Sequence, residues 1–504
     1  MFFKRRKKEI TYGEELVEAE LELTSANIKT LLKNNSDVVF RDLYINGQKD
    51  LLVTMVFIEG LIAAKNVDDD ILKPLTQEMS LSESKNASKI IEKIEHGTLY
   101  HVMQKTRAEL SDCINDIIDG SVALVFDQVK KAITFDVKGF EKRSISEPTS
   151  ENVFKGAKDS FVENLRTNTA TIRRKIKTHN LVIEETKVGK QSLTKIAIVY
   201  INGITNMHIV EELKKRLDRI STDGVLSAGI IEENIVDNKY SPFPQVIYTE
   251  RPDKFCANVV EGRVGVIIDE LPLTYIVPGT FESFLQAPED YSQHFIVSSV
   301  IRLLRFALIL ITLLLPGFYV SVTTFHHEMI PTGLALAITA SKEGVPFPSF
   351  VEVIFMLVAF EILIEAGLRL PKTIGQAVSI VGAVVVGQAA VEARLISPAV
   401  VVVIALTAIS SFAMANQDFS NALRLWRFVF VITSSAIGLF GLSLGGIVLL
   451  NHLSKMEVYG IPYMSPFVGE ESKEMQDSLF RFPFSAQYKR PLGLKTTNKK
   501  RQGN

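Results

Sequence analysis

Phe306-Ala307-Leu308-Ile309-Leu310-Ile311-Thr312-Leu313-Leu314-Leu315-Pro316-Gly317-Phe318-Tyr319-Val320-Ser321-Val322-Thr323-Thr324-Phe325 holds no Asp, Glu, Lys or Arg. A helix of about 20 apolar residues crosses the hydrocarbon core of a bilayer, so this run decides the fold. Three more uncharged runs follow, at 373–391, 395–417 and 428–454. A fifth apolar stretch, Phe350 through Leu370, is interrupted by Glu352, Glu361, Glu365 and Arg369. Met329 through Ser341 is too short to span and suits a re-entrant or interfacial piece. Residues 303–454 carry only 14 of the chain's 113 charged side chains, although the chain has 504 residues. Two materials are joined end to end, a charged soluble part and a membrane part. That excludes a plain soluble enzyme, a disordered chain and a fibrous protein.

Outward toward the N-terminus, the sequence repeats itself. Met55-Val56-Phe57-Ile58-Glu59-Gly60 matches Ile198-Val199-Tyr200-Ile201-Asn202-Gly203 at an offset of 143 residues. Gly120-Ser121-Val122-Ala123-Leu124-Val125-Phe126-Asp127 matches Gly262-Arg263-Val264-Gly265-Val266-Ile267-Ile268-Asp269 at an offset of 142. Two matches at nearly one offset indicate an internal duplication. The short β-branched runs predict hairpins (38–47 with 51–58; 181–188 with 193–201; others near 122–138 and 264–277), with helices between them. The expected organisation is a segment 1–24, an α/β subdomain 25–147, a helical linker 148–179 and a second α/β subdomain 180–298. A membrane domain of about five helices, 299–454, and a tail, 455–504, complete it. The fold class is therefore a duplicated α/β region, an all-α polytopic membrane domain and a short basic tail.

Net charge is −1, which gives no footprint for nucleic acid. Met1 through Lys8 starts like a basic n-region, but the acids from Glu9 to Glu22 leave no apolar core for a signal peptide. The first 300 or so residues are expected to stay cytoplasmic. Cys113 and Cys256 are too few for a disulfide framework or a four-ligand zinc site. No P-loop, dinucleotide fingerprint, HExxH or nucleophile elbow occurs, and His96 and His101 lack companions for a metal site. No catalytic residue, cofactor or metal is expected. Arg173-Arg174-Lys175 reads as a solvated helix face or an inter-domain contact.

Two membrane features stand out. Gly375, Ser379, Ala383 and Gly387 place a small residue at every fourth position, a face on which helix backbones pack closely; Gly438, Gly441, Gly445 and Gly446 repeat the idea. On the charged helix, Glu361, Glu365 and Arg369 share one face. Glu352 lies about 180° from Glu361 and is expected at the interface. Glu365 and Arg369 have the favourable i,i+4 order, whereas Glu361 has no basic partner on its own helix. These four are the ion-path or gating candidates. Counting basic residues, five spans put the N-terminal region and the turn 418–427 inside. The six basic residues of 489–504 would then end outside, against the positive-inside rule. Either one stretch is re-entrant or the tail escapes the rule.

The run Ile374-Gly375-Gln376-Ala377-Val378-Ser379-Ile380-Val381-Gly382, continuing through Gly387-Gln388-Ala389-Ala390-Val391-Glu392-Ala393, resembles the signature of the GerA family, the A subunits of bacterial spore germinant receptors. Glu289-Asp290-Tyr291, Phe325-His326-His327-Glu328-Met329-Ile330-Pro331, Pro346-Phe347-Pro348 and Glu365-Ala366-Gly367-Leu368-Arg369-Leu370-Pro371 resemble it too, as does Asn168 with Ile172-Arg173-Arg174. Ile364 departs from the pattern, in which a basic residue often precedes Glu-Ala-Gly. The resemblance implies a non-enzymatic receptor subunit in the inner membrane of the endospore, its N-terminal domain facing the spore core. It implies a permease-like B subunit that binds the nutrient, a C lipoprotein, lipid, and a homo-oligomer, a pentamer, that releases monovalent cations through a nutrient-gated channel. A secondary transporter would instead show inverted membrane repeats, and none is evident. A non-conducting scaffold for the other subunits is the third reading.

Overall fold

The computed structural model describes residues 21–78, 81, 86–99, 103–139, 151, 155–370, 387–468 and 477–501. It divides into two compact units. One comprises the chain up to Ile235, Val246–Pro278 and the residues from Gln487 onward; the other comprises Val236–Gln245 and Gly279–Ala486.

The first unit holds two antiparallel sheets. β1 (Val38–Tyr44) and β2 (Leu52–Ile58) form a hairpin, β4 (Val122–Phe126) and β5 (Lys131–Phe135) another, and β3 (Gln104–Arg107) lies at the edge, in the order β1-β2-β4-β5-β3. The second sheet is β6 (Leu181–Val188), β7 (Thr194–Ile201), β9 (Val264–Ile268), β10 (Thr274–Val277) and β8 (Ile247–Thr249), in the order β6-β7-β9-β10-β8. The two orders are the same. The hairpins fall where the β-branched runs put them; the short edge strands β3 and β8 carry no such run.

Before each inner hairpin comes a helix whose apolar stripe faces the sheet. α3 (Leu110–Ile118, preceded by α1, Ser25–Leu31, and α2, Ala87–Lys93) buries Leu110, Cys113, Ile114, Ile117 and Ile118. Its counterpart, Pro252–Val260, buries Pro252, Phe255, Cys256 and Val259. Each such side chain contributes about 1.5–3 kcal/mol on burial. Cys113 and Cys256 are themselves 143 residues apart, and burial pushes both thiols up to about 12. Both are small core hydrophobes with no disulfide.

α4 (Leu165–Lys175) starts on Asn164, whose side chain accepts from the Thr167 N–H. It ties the sheets together through Arg173. That fully buried guanidinium donates to both carboxylate oxygens of Asp37 (2.8 Å each), to Asn35 and to the Leu181 carbonyl. Of the triplet, then, Arg173 is the inter-sheet contact and Arg174 lies exposed beside Thr171. The C-terminal residues also belong to this unit: Thr497 N–H donates to the Ile204 carbonyl, Arg490 to the Val260 carbonyl, and Arg501 pairs with Glu261. α5 (Met207–Asp218), α6 (Ala228–Ile235) and α7 (the counterpart Pro252–Val260) complete it.

The second unit is helical: α8 (Phe295–Thr324), α9 (Thr332–Ser341), α10 (Ser349–Arg369), α11 (Pro398–Phe412) and α12 (Gln417–Lys455). α8 and α12 are long and apolar enough to cross a membrane; α9 and α11 are shorter apolar helices. α12 is not one straight rod. Ile437 and Gly438 leave helical geometry, Gly438 at φ 61° and ψ −141°, a conformation that only glycine adopts without strain. The ring of Trp426 lies 6.0 Å from that of His452, whereas 26 residues of straight helix would span about 39 Å. The chain therefore folds back, and a Cβ on Gly441 would sit 2.0 Å from the Thr433 carbonyl oxygen. The stretch 428–454, expected as a single span, is the last part of the first arm, the turn and nearly all of the second arm of a helical hairpin. The glycines at 438, 441 and 445 serve that fold-back. Gly375, Ser379 and Ala383 lie outside the described residues; the remaining member of their stripe, Gly387, leaves ordinary room, with Val401 3.7 Å from a Cβ built there.

Candidate functional site in the apolar helices

α10 begins after Pro348, and Glu352 in its first turn is completely buried rather than interfacial. The reason is two helix N-termini. Glu352 lies in the first turn of α10, and its Oε2 accepts the Ser397 N–H at 2.7 Å, Ser397 being the N-cap of α11. Free N–H groups and the positive ends of helix dipoles stabilise a carboxylate there. Lys342 Nζ stands 3.5 Å from Oε1 and is bonded to the Ser349 hydroxyl.

Nine residues on, Glu361 points from the other side of α10. Its partners come from the first arm of α12: Arg427 at 2.8 Å, and Arg424 through two bonds, one of 3.2 Å. Residues 418–427 are thus the opening of α12, capped by the Asn416 side chain on the Phe419 N–H, and not an inner turn. Arg427 is fully buried, and its Nε and Nη1 have no hydrogen-bond partner among the described residues. One carboxylate faces two guanidiniums. Glu365 and Arg369 form the expected i,i+4 pair at 2.7 Å, and both side chains are exposed, by 61% and 79%.

Sequence reasoning missed a third cluster. Asp290, ahead of α8, accepts from Arg302 at 2.9 Å and from both terminal nitrogens of Arg305 at 2.8 Å. Arg302 also holds Asp477 at 2.8 Å, and Arg481 donates to the Asp290 carbonyl. Burial pushes the Asp290 carboxyl up, but the bond and charge of Arg305, with the charge of Arg302, outweigh it and hold the group below its ordinary range. Only the spacing Arg302/Arg305 on one helix face hinted at this; Asp290 lies across the turn before α8 and Asp477 is 175 residues from Arg302. Among the described residues no three His, Cys, Asp or Glu side chains group as a metal site requires.

The family described as "Bacillus/Clostridium GerA spore germination protein" matches residues 26–492. The chain belongs to the GerA family of germinant-receptor A subunits. Spore germination protein KA of Bacillus subtilis (strain 168) is 40% identical over 488 residues, covering 97% of this chain and 89% of that one. The uncharacterized membrane protein YfkQ of the same organism is 37% identical, covering 92% and 89%. The crystal structure of the N-terminal domain of the A subunit of the Bacillus megaterium spore germinant receptor GerK3 is 28% identical, with a TM-score of 0.40, over 51% of this chain and 93% of that one. Of the stretches that resemble the family, Glu289-Asp290-Tyr291 supplies the buried Asp290 and Ile172-Arg173-Arg174 the buried Arg173, whereas Glu365 and Arg369 are exposed.

Proposed function

We propose that this GerA-family chain is the A subunit of a nutrient germinant receptor of the spore inner membrane. In this reading copies of it, as a pentamer, form a nutrient-gated route through which monovalent cations leave the spore. A permease-like B subunit that binds the nutrient and a C lipoprotein are its partners. The observation that carries the reading is Glu361, on the charged helix α10, held by Arg424 and Arg427 of α12. Charges within membrane helices are costly and mark ion pathways or gates. Glu361 is then a gating residue: separating α10 from α12 exposes a carboxylate, and one per copy makes a cation-favouring ring. Glu352 and its Lys342 form the second gating candidate, and Glu365 with Arg369 flank the helix end.

Topology follows in the same reading. The crossings are α8, α10, the uncharged sequence run 373–391, α11 and the two arms of α12. Six crossings bring the chain back to its starting side. Residues 487–501, packed on Ile204, Val260 and Glu261, are consistent with that. The basic groups of Lys4–Lys8 and of the tail then share the cytoplasmic side, as the positive-inside rule asks. The two sheets of one strand order are, in this account, the products of an internal duplication.

The test is current. The chain is reconstituted in planar bilayers, alone and with its B and C subunits, and recorded with nutrient added. Nutrient-dependent cation steps that Glu361→Gln diminishes are expected. Silence of the complete receptor under nutrient would leave the scaffold reading.

A further inference from the structure

The apolar unit contains a series of buried polar atoms without hydrogen-bond partners among the described residues: Thr312 Oγ1 and Tyr319 OH on α8, Arg427 Nε and Nη1 and Ser434 Oγ on α12, Ser397 Oγ at the head of α11, and Glu352 Oε1 on α10. Their arrangement is regular. Thr312 and Tyr319 are seven residues apart, as are Arg427 and Ser434, so each pair lies on one helix face about 10.5 Å apart. α8 and the first arm of α12 run alongside in the same direction. A Cβ on Gly317 would lie 2.9 Å from Ser434 Oγ and 3.1 Å from the Phe430 carbonyl, and one on Gly438 would lie 2.8 Å from the His326 ring. That alignment puts Thr312 near the level of Arg427, and Tyr319 near that of Ser434. At one end the seam meets Glu361, bound to Arg427. At the other it meets Glu352, whose Oε2 accepts the Ser397 N–H; Tyr319 belongs to the same buried cluster as Val353 of α10 and Val400 of α11.

A buried hydroxyl or guanidinium N–H left unmade costs about 1–3 kcal/mol, more for a charged group. One such atom is an ordinary imperfection. Six residues from four elements converging on one seam are not, and each can be satisfied by a molecule that both donates and accepts. We propose that the seam between α8 and the first arm of α12 is an internal hydrated track, in which bound water joins Arg427 to Glu352 within a single copy of the chain. Water suits the donor set: it accepts from Arg427 and from the hydroxyls, and it donates to Glu352 Oε1. A bound metal cation does not suit it, since Arg424, Arg427 and Lys342 outnumber Glu361 and Glu352. The track is therefore separate from any cation route between copies, and it stands or falls independently of the channel reading.

Radiolytic hydroxyl-radical footprinting of the full-length protein in detergent tests this, because activated bound water marks the side chains it touches. Tyr319 should be oxidised within about threefold of exposed Tyr488 and at least about tenfold faster than Tyr200, whose buried hydroxyl is bonded to Glu184. Oxidation of Tyr319 as slow as that of Tyr200 would overturn the proposal. Ser434→Val, with Thr312→Val, fills the seam; it should slow Tyr319 to the Tyr200 rate and leave Tyr488 unchanged. Tyr319 still reacting fast in a folded filled variant would mean that the radicals arrive from outside, which also overturns the track. If that variant does not fold, the wild-type ratio alone decides.

Discussion

Glu361 and Glu365 are one helical turn apart and energetically unlike. Glu361 neutralises a fully buried Arg427, so Glu361→Gln leaves a guanidinium without its charge partner, a change that costs about 3–5 kcal/mol. Glu365 and Arg369 face outward, and exposed pairs contribute about 0–1 kcal/mol. Thermal melting of the purified protein should therefore fall by several degrees or more for Glu361→Gln and hardly move for Glu365→Gln. Equal shifts would contradict the assignment of partners. The cysteines give a second residue-scale prediction. With both thiols raised to about 12, roughly one in ten thousand is thiolate at pH 8. A disulfide reagent at that pH should leave Cys113 and Cys256 unreacted until denaturant is added. The sign for stability follows. An unfolded thiol ionises near 8.5 while the folded one does not. The contribution of each burial is thus complete below about pH 8.5 and declines as pH rises toward 12. Stability that rose over that window would argue for thiolates in the native state.

At the scale of elements, the fold-back of α12 rests on glycine. Gly438 sits at φ 61°, and Gly441 lets the returning arm touch the Thr433 carbonyl. Gly441→Leu places a side chain where even a Cβ meets backbone, so the arms must separate, and the α8 contacts at Gly317 with them. Loss of folded protein from the membrane fraction is expected for Gly441→Leu. Gly446→Ala, with open space around it, should be neutral and serves as the control. Tolerance of leucine at 441 would mean that the two arms do not pack this way. That hairpins recur with helices between them is legible in local residue order, because strand and helix periods are written there; which helices cover the sheets, Leu110–Ile118 and Pro252–Val260, is not. The short edge strands β3 and β8 are not legible either, since three or four residues hold too few alternations to register.

For the whole molecule the prediction is one of sidedness. In the proposed six-crossing topology the α/β region and the tail would share one side of the membrane and the α8–α10 connection would lie opposite. Since the native thiols are buried, single cysteines report cleanly. Leu226→Cys and Lys499→Cys should resist an impermeant maleimide in intact cells and label after lysis; His327→Cys should label without lysis. Ready labelling at 499 in intact cells would restore the five-span arrangement and put the tail outside.

What the sequence determined by itself is what depends on near neighbours in the chain. The charge-free runs separate an apolar helical part from a charged part, the 143-residue offset announces two alike α/β layers, and i,i+4 spacing pairs Glu365 with Arg369. It also carried the family motifs. The tertiary structure alone decided which charges are spent on one another across 12 to 175 residues: Glu361 with Arg424 and Arg427, Asp290 with Arg302 and Arg305, Arg302 with Asp477, and Asp37 with Arg173. A hydropathy run likewise cannot say whether it crosses once or turns back, because apolar arms of a hairpin and a single long helix have the same composition. The difference lies in the backbone angles of two residues, Ile437 and Gly438. Helix periodicity is a property of adjacent turns, whereas the pairing of buried charges depends on which faces meet, and that is set only when the helices pack.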